Sequence, residues 1–213
     1  MKTITVRGTG TASKHPDKIT LTLSGEGKSG DYETALSESS GRVEKLTAAL
    51  AASGAGKPRT TDYDVRTEYK SVRDEEGNYT RVFDGYVSAY SLTVSFGLDM
   101  ELLAAAISAV SASGTEPGIG VSFGLYDPSS LDAELLRAAA VNAKEKAGVL
   151  CGAMGKKLGE LISIDYDFRN QNPVSRTNIE CAALGAAPKR AMACVEPDDI
   201  EASDSASFVW EIV

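Results

Sequence analysis

The residues with the sharpest chemical suggestion are Gly27, Lys28 and Ser29, inside the stretch LTLSGEGKSGDYETAL that runs from Leu21 to Leu36. A Gly-Lys-Ser triplet ahead of a helix resembles the end of a phosphate-binding loop. There, successive backbone N–H groups wrap the phosphates and the lysine reaches the terminal ones. Such a loop opens on a glycine five residues before its Gly-Lys, and that position is Thr22, inside an alternating strand pattern. The triplet therefore reads as a helix entry. A second pair, Gly56-Lys57, precedes Pro58, which has no N–H to donate, and reads as a helix exit. The run Gly8-x-Gly10-x-x-Ser13 lacks the third glycine of a dinucleotide fingerprint and leads to Pro16 and a strand where a helix is required. Glycines within a strand more often mark a bulge or a close backbone approach.

Carboxylates are plentiful at Asp62, Asp64 and Glu68, at Asp165 and Asp167, and between Glu196 and Asp204. Alternating charge along a strand is ordinarily its solvent face, and no calcium-loop spacing occurs. Cys151, Cys181 and Cys194 form no C-x-x-C pair, and His15 is the single histidine, so a Cys/His zinc site is hard to assemble. Reduced thiols are expected, with a Cys181–Cys194 disulfide as the alternative. Cys151 falls near the apolar stripe of a helix, where a buried thiol is the ordinary outcome. No catalytic residue, metal ligand or cofactor is assigned. The remaining cluster is aromatic: Tyr63, Tyr69, Tyr79, Tyr86 and Tyr90 share one long hairpin, as cross-strand pairs or as the lining of a ligand pocket or subunit contact.

The elements that carry these residues follow from periodicity. Residues 3–12 and 19–27 alternate as two strands joined by a turn at Pro16. Leu36, Val43, Leu46 and Leu50 mark one face of a helix. Residues 59–97 form a long antiparallel hairpin, with a turn at Gly77 and a bulge or bend at Gly85. A helix with Asp99 as its N-cap, a short strand, and an Ala-rich helix with Leu131, Leu135, Ala139, Ala143, Ala147, Leu150 and Met154 on one stripe come next. A strand follows, then a long loop over 170–193, then the terminal strand SASFVWEIV. The sum is an α+β fold, mostly antiparallel sheet packed against about three helices, in the order ββαββαβαββ. It reads as one domain over 1–213, or as two lobes, about 1–97 and 98–213, sharing the hairpin.

Composition excludes some partners. The 22 Lys and Arg residues face 30 Asp and Glu, a formal charge of −8, and no basic cluster offsets it. Nucleic acid and anionic membranes are disfavoured. No stretch approaches the ~20 apolar residues of a membrane span, and the start has no leader-like apolar run. A cytoplasmic location and no membrane insertion are the expectations.

The order of these elements and the residues at their joints resemble the SIMPL-domain family, which includes bacterial periplasmic immunogenic proteins. The resemblance rests on Gly8-x-Gly10 with Pro16-Asp17, on LTAALAASGAG leading to TTDYDVRTEY, and on Gly85-Tyr86. It extends through Phe123, Leu125 and Asp127 to Ala138, Ala143 and Ala147 of the Ala-rich helix. It implies an α+β fold, homo-oligomers in some members, a link to oxidative or envelope stress, and no catalytic residues to carry over. The expected function is a non-enzymatic, self-associating protein. A small-molecule binding protein or undescribed enzyme with a pocket between sheet and helices is the alternative, and a protein-interaction adaptor is a third.

Overall fold

The computed structural model describes residues 2–73, 78–167, 173–181 and 195–213. Its elements are β1 (Thr3–Lys14), β2 (Lys18–Ser29), α1 (Tyr32–Ser53), β3 (Arg59–Arg73), β4 (Tyr79–Gly97), α2 (Met100–Ala112), β5 (Gly118–Gly124), α3 (Ser129–Ala153), β6 (Leu158–Asp165), β7 (Asn178–Cys181) and β8 (Ile200–Ile212). The fold is α+β, as expected, with three helices and two sheets among the described residues. The short strand β7 falls where a loop over 170–193 is expected. The expected turn at Gly77, most of that loop, Cys194 and the side chain of Cys181 lie outside the described residues. The chain forms two compact units, each assembled from separated segments.

The first unit comprises Met1–Asp17, Gly124–Arg176 and Pro197–Val213. Its sheet has the order β1-β8-β6, both pairings antiparallel, with β1 and β8 in unbroken register from Thr3↔Glu211 to Lys14↔Ile200. One face lies under α3, and the glycines of β1 explain how closely. A Cβ on Gly8 would sit 2.0 Å from the Ala139 carbonyl oxygen and 2.7 Å from Ala143 Cβ. A Cβ on Gly10 would sit 2.0 Å from the Leu135 carbonyl oxygen. Helix backbone therefore rests on strand backbone, the close approach that strand glycines permit. The buried row of α3 is Leu131, Leu135, Ala139, Ala143, Ala147 and Cys151. This strict four-residue spacing is one inclined ridge of the helix surface. The expected stripe ends differently, for Leu150 is 51% and Met154 80% exposed, because the ridge continues through Cys151. Opposite Gly10, Asp204 accepts a hydrogen bond of 2.8 Å from Tyr166 Oη. That bond pushes the Tyr166 hydroxyl up to about 12.

The second unit comprises Lys18–Phe123 and Thr177–Glu196, and its sheet has the order β3-β4-β2-β5-β7. Ile19, Leu21 and Leu23 pair with Phe96, Val94 and Leu92. This apolar face forms one core with Leu46 and Leu50 of α1 and with Leu103, Ala106, Ile107 and Val110 of α2. Both helices begin on an aspartate. Asp31 accepts from Thr34 N at 2.8 Å, and Asp99, as expected, accepts from the N–H groups of Glu101 and Leu102. Helix α1 ends on Gly54 at φ +89°, a left-handed cap that suits glycine. The row of α1 that is fully buried is Ala35, Ser39, Leu46 and Leu50, while Leu36 and Val43 are half-buried.

Strands β1 and β2 form where expected, but they do not pair with each other. Each takes a longer partner, β8 for β1 and β4 for β2, over its whole length. The joint Phe123-x-Leu125-x-Asp127 serves both units in sequence. Phe123 is buried in the core of the second, Leu125 is buried with Leu131 and Leu135 in the first, and Asp127 accepts from Ser129 N at the start of α3.

Replacing Gly10 by alanine drives a Cβ into helix backbone that no rotamer change can clear. The expected cost is about 1–3 kcal/mol or more, seen as a lower urea midpoint. Gly41→Ala, inside α1 with nothing within 4 Å of the new Cβ, should instead raise stability by ~0.5–1 kcal/mol. Equal effects at the two sites would contradict the close-contact account.

Candidate functional site

The candidate site is the β3–β4 hairpin. Its strands stay in antiparallel register from Arg59↔Thr93 to Arg73↔Tyr79, with irregularities at Thr60/Asp62 and Glu68/Tyr69. The second matches the bulge expected near Gly85, which has φ +122° and whose Cβ would meet the Ser29 carbonyl oxygen at 2.7 Å. Asp84 is the extra residue, because Glu68 pairs with Gly85 and Tyr69 with Phe83. The bulge has a consequence for side-chain direction. Phe83 and Tyr86 are three positions apart and would face opposite ways on a regular strand. The inserted residue returns Phe83 to the tyrosine face.

That face grades from core to solvent. Tyr90 is buried beside Gly25, whose Cβ would come within 2.4 Å of the Tyr90 hydroxyl. Burial pushes this hydroxyl up in pKa, opposed by the charge of Arg42, and it has no hydrogen-bond partner among the described residues. Its cross-strand neighbour Tyr63 docks on α1, with its Oη 3.2 Å from Ser40 Oγ and 3.4 Å from the Leu36 carbonyl oxygen. Next comes a run of edge-to-face rings. Centroid separations are 5.5 Å for Tyr32–Tyr86, 5.2 Å for Tyr86–Phe83 and 6.1 Å for Phe83–Tyr69. The Arg81 guanidinium lies 5.3 Å over the Tyr69 ring. Tyr32 belongs to the first turn of α1, so helical cover ends there. Beyond it Phe83 is 45%, Tyr69 48% and Tyr79 76% exposed.

The structure thus brings Tyr63, Tyr69, Tyr86 and Tyr90 onto one face with Tyr79 at its far end, as a row rather than a ring around a pocket. Tyr32 and Phe83 belong to the row and were not among the tyrosines that the sequence singles out. Phe83 was legible only with the bulge at Gly85 taken one step further.

The opposite face of the hairpin is ionic. Lys28 contacts both Asp84 and Glu68, Lys70 Nζ lies 2.7 Å from Asp84 Oδ1, and Arg66 contacts Glu26 at 3.0 Å and Asp64 at 3.7 Å. Lys28, then Lys70, hold the Asp84 carboxyl below the usual carboxylate range. Asp84 and Glu68 in turn hold the Lys28 ammonium above its ordinary value. Exposed pairs of this kind contribute little each, and their alternation leaves the face solvated.

The other chemical suggestions find structural places. Gly27, Lys28 and Ser29 lie within β2, paired with Ser88, Val87 and Tyr86, so no phosphate loop forms. Asp199 lies between His15, at 3.0 Å, and Ser13, at 3.5 Å. A nucleophilic triad needs the imidazole in the middle, next to the hydroxyl, so this trio is not one. Cys151 is buried on α3. Among the described residues no cluster of three His, Cys, Asp or Glu could hold a metal, and no helix is long and apolar enough to cross a membrane.

The ionic face sets an expectation for acid. A carboxylate with a lowered native pKa stabilises the fold fully above its unfolded pKa, about 4, and loses that contribution as pH falls through the native value. Asp84→Asn should lower stability at neutral pH and flatten the decline below about pH 4. Urea unfolding of both proteins across that range tests it, and parallel curves would contradict it.

Comparison with curated proteins finds no match. A protein-family description does match, over residues 4–210, from β1 to the end of β8. The glycines under α3, the Phe123 to Asp127 joint and the long hairpin all fall within that span. The chain belongs to the SIMPL family (DUF541), described as proteins of unknown function.

Proposed function

We propose that this protein is a non-enzymatic, self-associating member of its family, and that the end of the β3–β4 hairpin is the contact between copies. The observation that carries this reading is the row Phe83, Tyr69 and Tyr79, which continues a packed aromatic face past the helix that covers it. Beside it, β3 is an edge strand of 15 residues that is exposed throughout except for the half-buried Val65. An exposed edge next to uncovered aromatic surface is a pairing surface. A second copy of the same chain satisfies both at once, by isologous contact.

Magnitudes favour more than one contact per copy. Fully covering an exposed aromatic side chain is worth ~1.5–3 kcal/mol, and these three rings are already partly covered, so burying what remains of them supplies roughly 2.5–5 kcal/mol. Association costs about 4–15 kcal/mol. A single one-sided contact is marginal, whereas a closed assembly in which each copy both gives and receives an arm doubles the gain and reaches the range of that cost.

The test is the native mass of the full chain under reducing conditions, by sedimentation. One discrete assembly is expected, persisting in high salt because its contact is aromatic. The double variant Tyr69→Ser with Phe83→Ser should run as a monomer with an unchanged circular dichroism spectrum, while Lys70→Ala keeps the assembly. A wild-type monomer at all concentrations, or an assembly indifferent to the double variant, refutes the reading.

A further inference from the structure

The face of the first unit's sheet that α3 does not cover has its own composition. Thr3, Thr5, Arg7, Thr9, Thr11 and Ser13 alternate along β1 and are all exposed. Their register partners on β8 include Ser207, Ser205, Ser203 and Glu201. At one end of this hydroxyl-rich surface lies an open cavity of about 550 Å³, lined by Thr11, Ser13, Ser203, Glu201 and Arg176. This volume falls in the range of small-molecule sites. One wall of the cavity is held in place. Ser175 is buried, and its hydroxyl donates a 2.6 Å hydrogen bond to the Asp198 carbonyl oxygen. The next residue, Arg176, then reaches Glu201 Oε2 at 2.8 Å. Behind the rim, Asp199 accepts from Ser13 and pairs with His15.

We infer that this cavity binds a neutral polyhydroxylated molecule, a saccharide or cyclitol. Charge selects against other classes. An anion approaching Arg176 meets the Glu201 carboxylate beside it, in a chain of formal charge −8. A cation approaching Glu201 meets the guanidinium. The paired charges suit adjacent hydroxyls instead, one donating to the carboxylate and its neighbour accepting from the guanidinium, each a charge-assisted bond. The Thr11 hydroxyl both donates and accepts, and the Ser13 oxygen, whose proton is directed to Asp199, still accepts, which matches a ligand with the same double capacity. Among the described residues no aromatic ring lines the cavity to act as a stacking platform, so affinity falls in the millimolar range rather than below it.

The test is a two-dimensional NMR titration of the full chain with glucose, N-acetylglucosamine, trehalose and myo-inositol, with inorganic phosphate and putrescine as charged comparisons. At least one neutral compound should shift the amides of Thr11, Ser13, Glu201 and Ser203 along saturating curves. Arg176→Ala should weaken that binding about tenfold, the scale of one lost charge-assisted hydrogen bond. Thr11→Val keeps a strand-forming residue on an exposed face and should weaken it less. The inference is overturned if no neutral compound gives a saturating shift, if phosphate or putrescine shifts these amides more strongly, or if Arg176→Ala leaves the curves unchanged.

Discussion

A strand and a helix of similar residue count differ about twofold in length, and the second unit is organised around that mismatch. Helix α1 has 22 residues and β4 has 19, but at ~1.5 Å per helical residue and ~3.3 Å per strand residue they span about 33 and 63 Å. One helix cannot cover the hairpin end to end. The core of Ile19, Leu21, Leu23, Leu46, Leu50, Leu92 and Phe96 fixes the covered part, and Tyr32 marks where cover stops. The sequence nevertheless keeps supplying aromatic residues past that point. The bulge at Asp84 and Gly85 keeps Phe83 on the same face as Tyr86, which a regular strand would not do. An aromatic face continued beyond its helix is the feature that the self-association reading explains.

The two units solve helix-on-sheet packing differently. In the first, small residues on both sides let backbone meet backbone, Gly8 and Gly10 against Leu135, Ala139 and Ala143. In the second, branched and aromatic side chains from both layers fill the interval. The first arrangement tolerates no added atoms at its contact, and it leaves the other face of a narrow sheet free for hydroxyl groups. The second leaves its sheet with an ionic face around Asp84 and an aromatic face around Tyr86.

Much of this was legible from residue patterns. The alternation at Ile19, Leu21 and Leu23, the cap at Asp99, and the stripe from Leu131 to Ala147 are all local signals, which sequence carries directly. Partner choice is not local. Nothing in residues 4–25 says that β1 will pair with the last strand and β2 with the fourth, since alternation marks a strand without naming its neighbour. The end of α3 shows a related limit. Leu150 and Met154 are more apolar by type than Cys151, but the buried ridge runs in steps of four and reaches the cysteine. At the site, five tyrosines on one hairpin were visible, but their gradation from the buried Tyr90 to the exposed Tyr79 depends on where α1 ends in space.

The most direct test of the central claim is hydrogen–deuterium exchange along β3 and the outer part of β4, followed as protein concentration rises. If copies cover one another's arms, amides from Glu68 to Arg73 and from Tyr79 to Phe83 become protected with concentration, while those of Ile19 to Leu23 in the core do not change. If the arm amides exchange at the same rate at every concentration, the hairpin is open to solvent in the working form of the protein, and the account of its aromatic row is wrong.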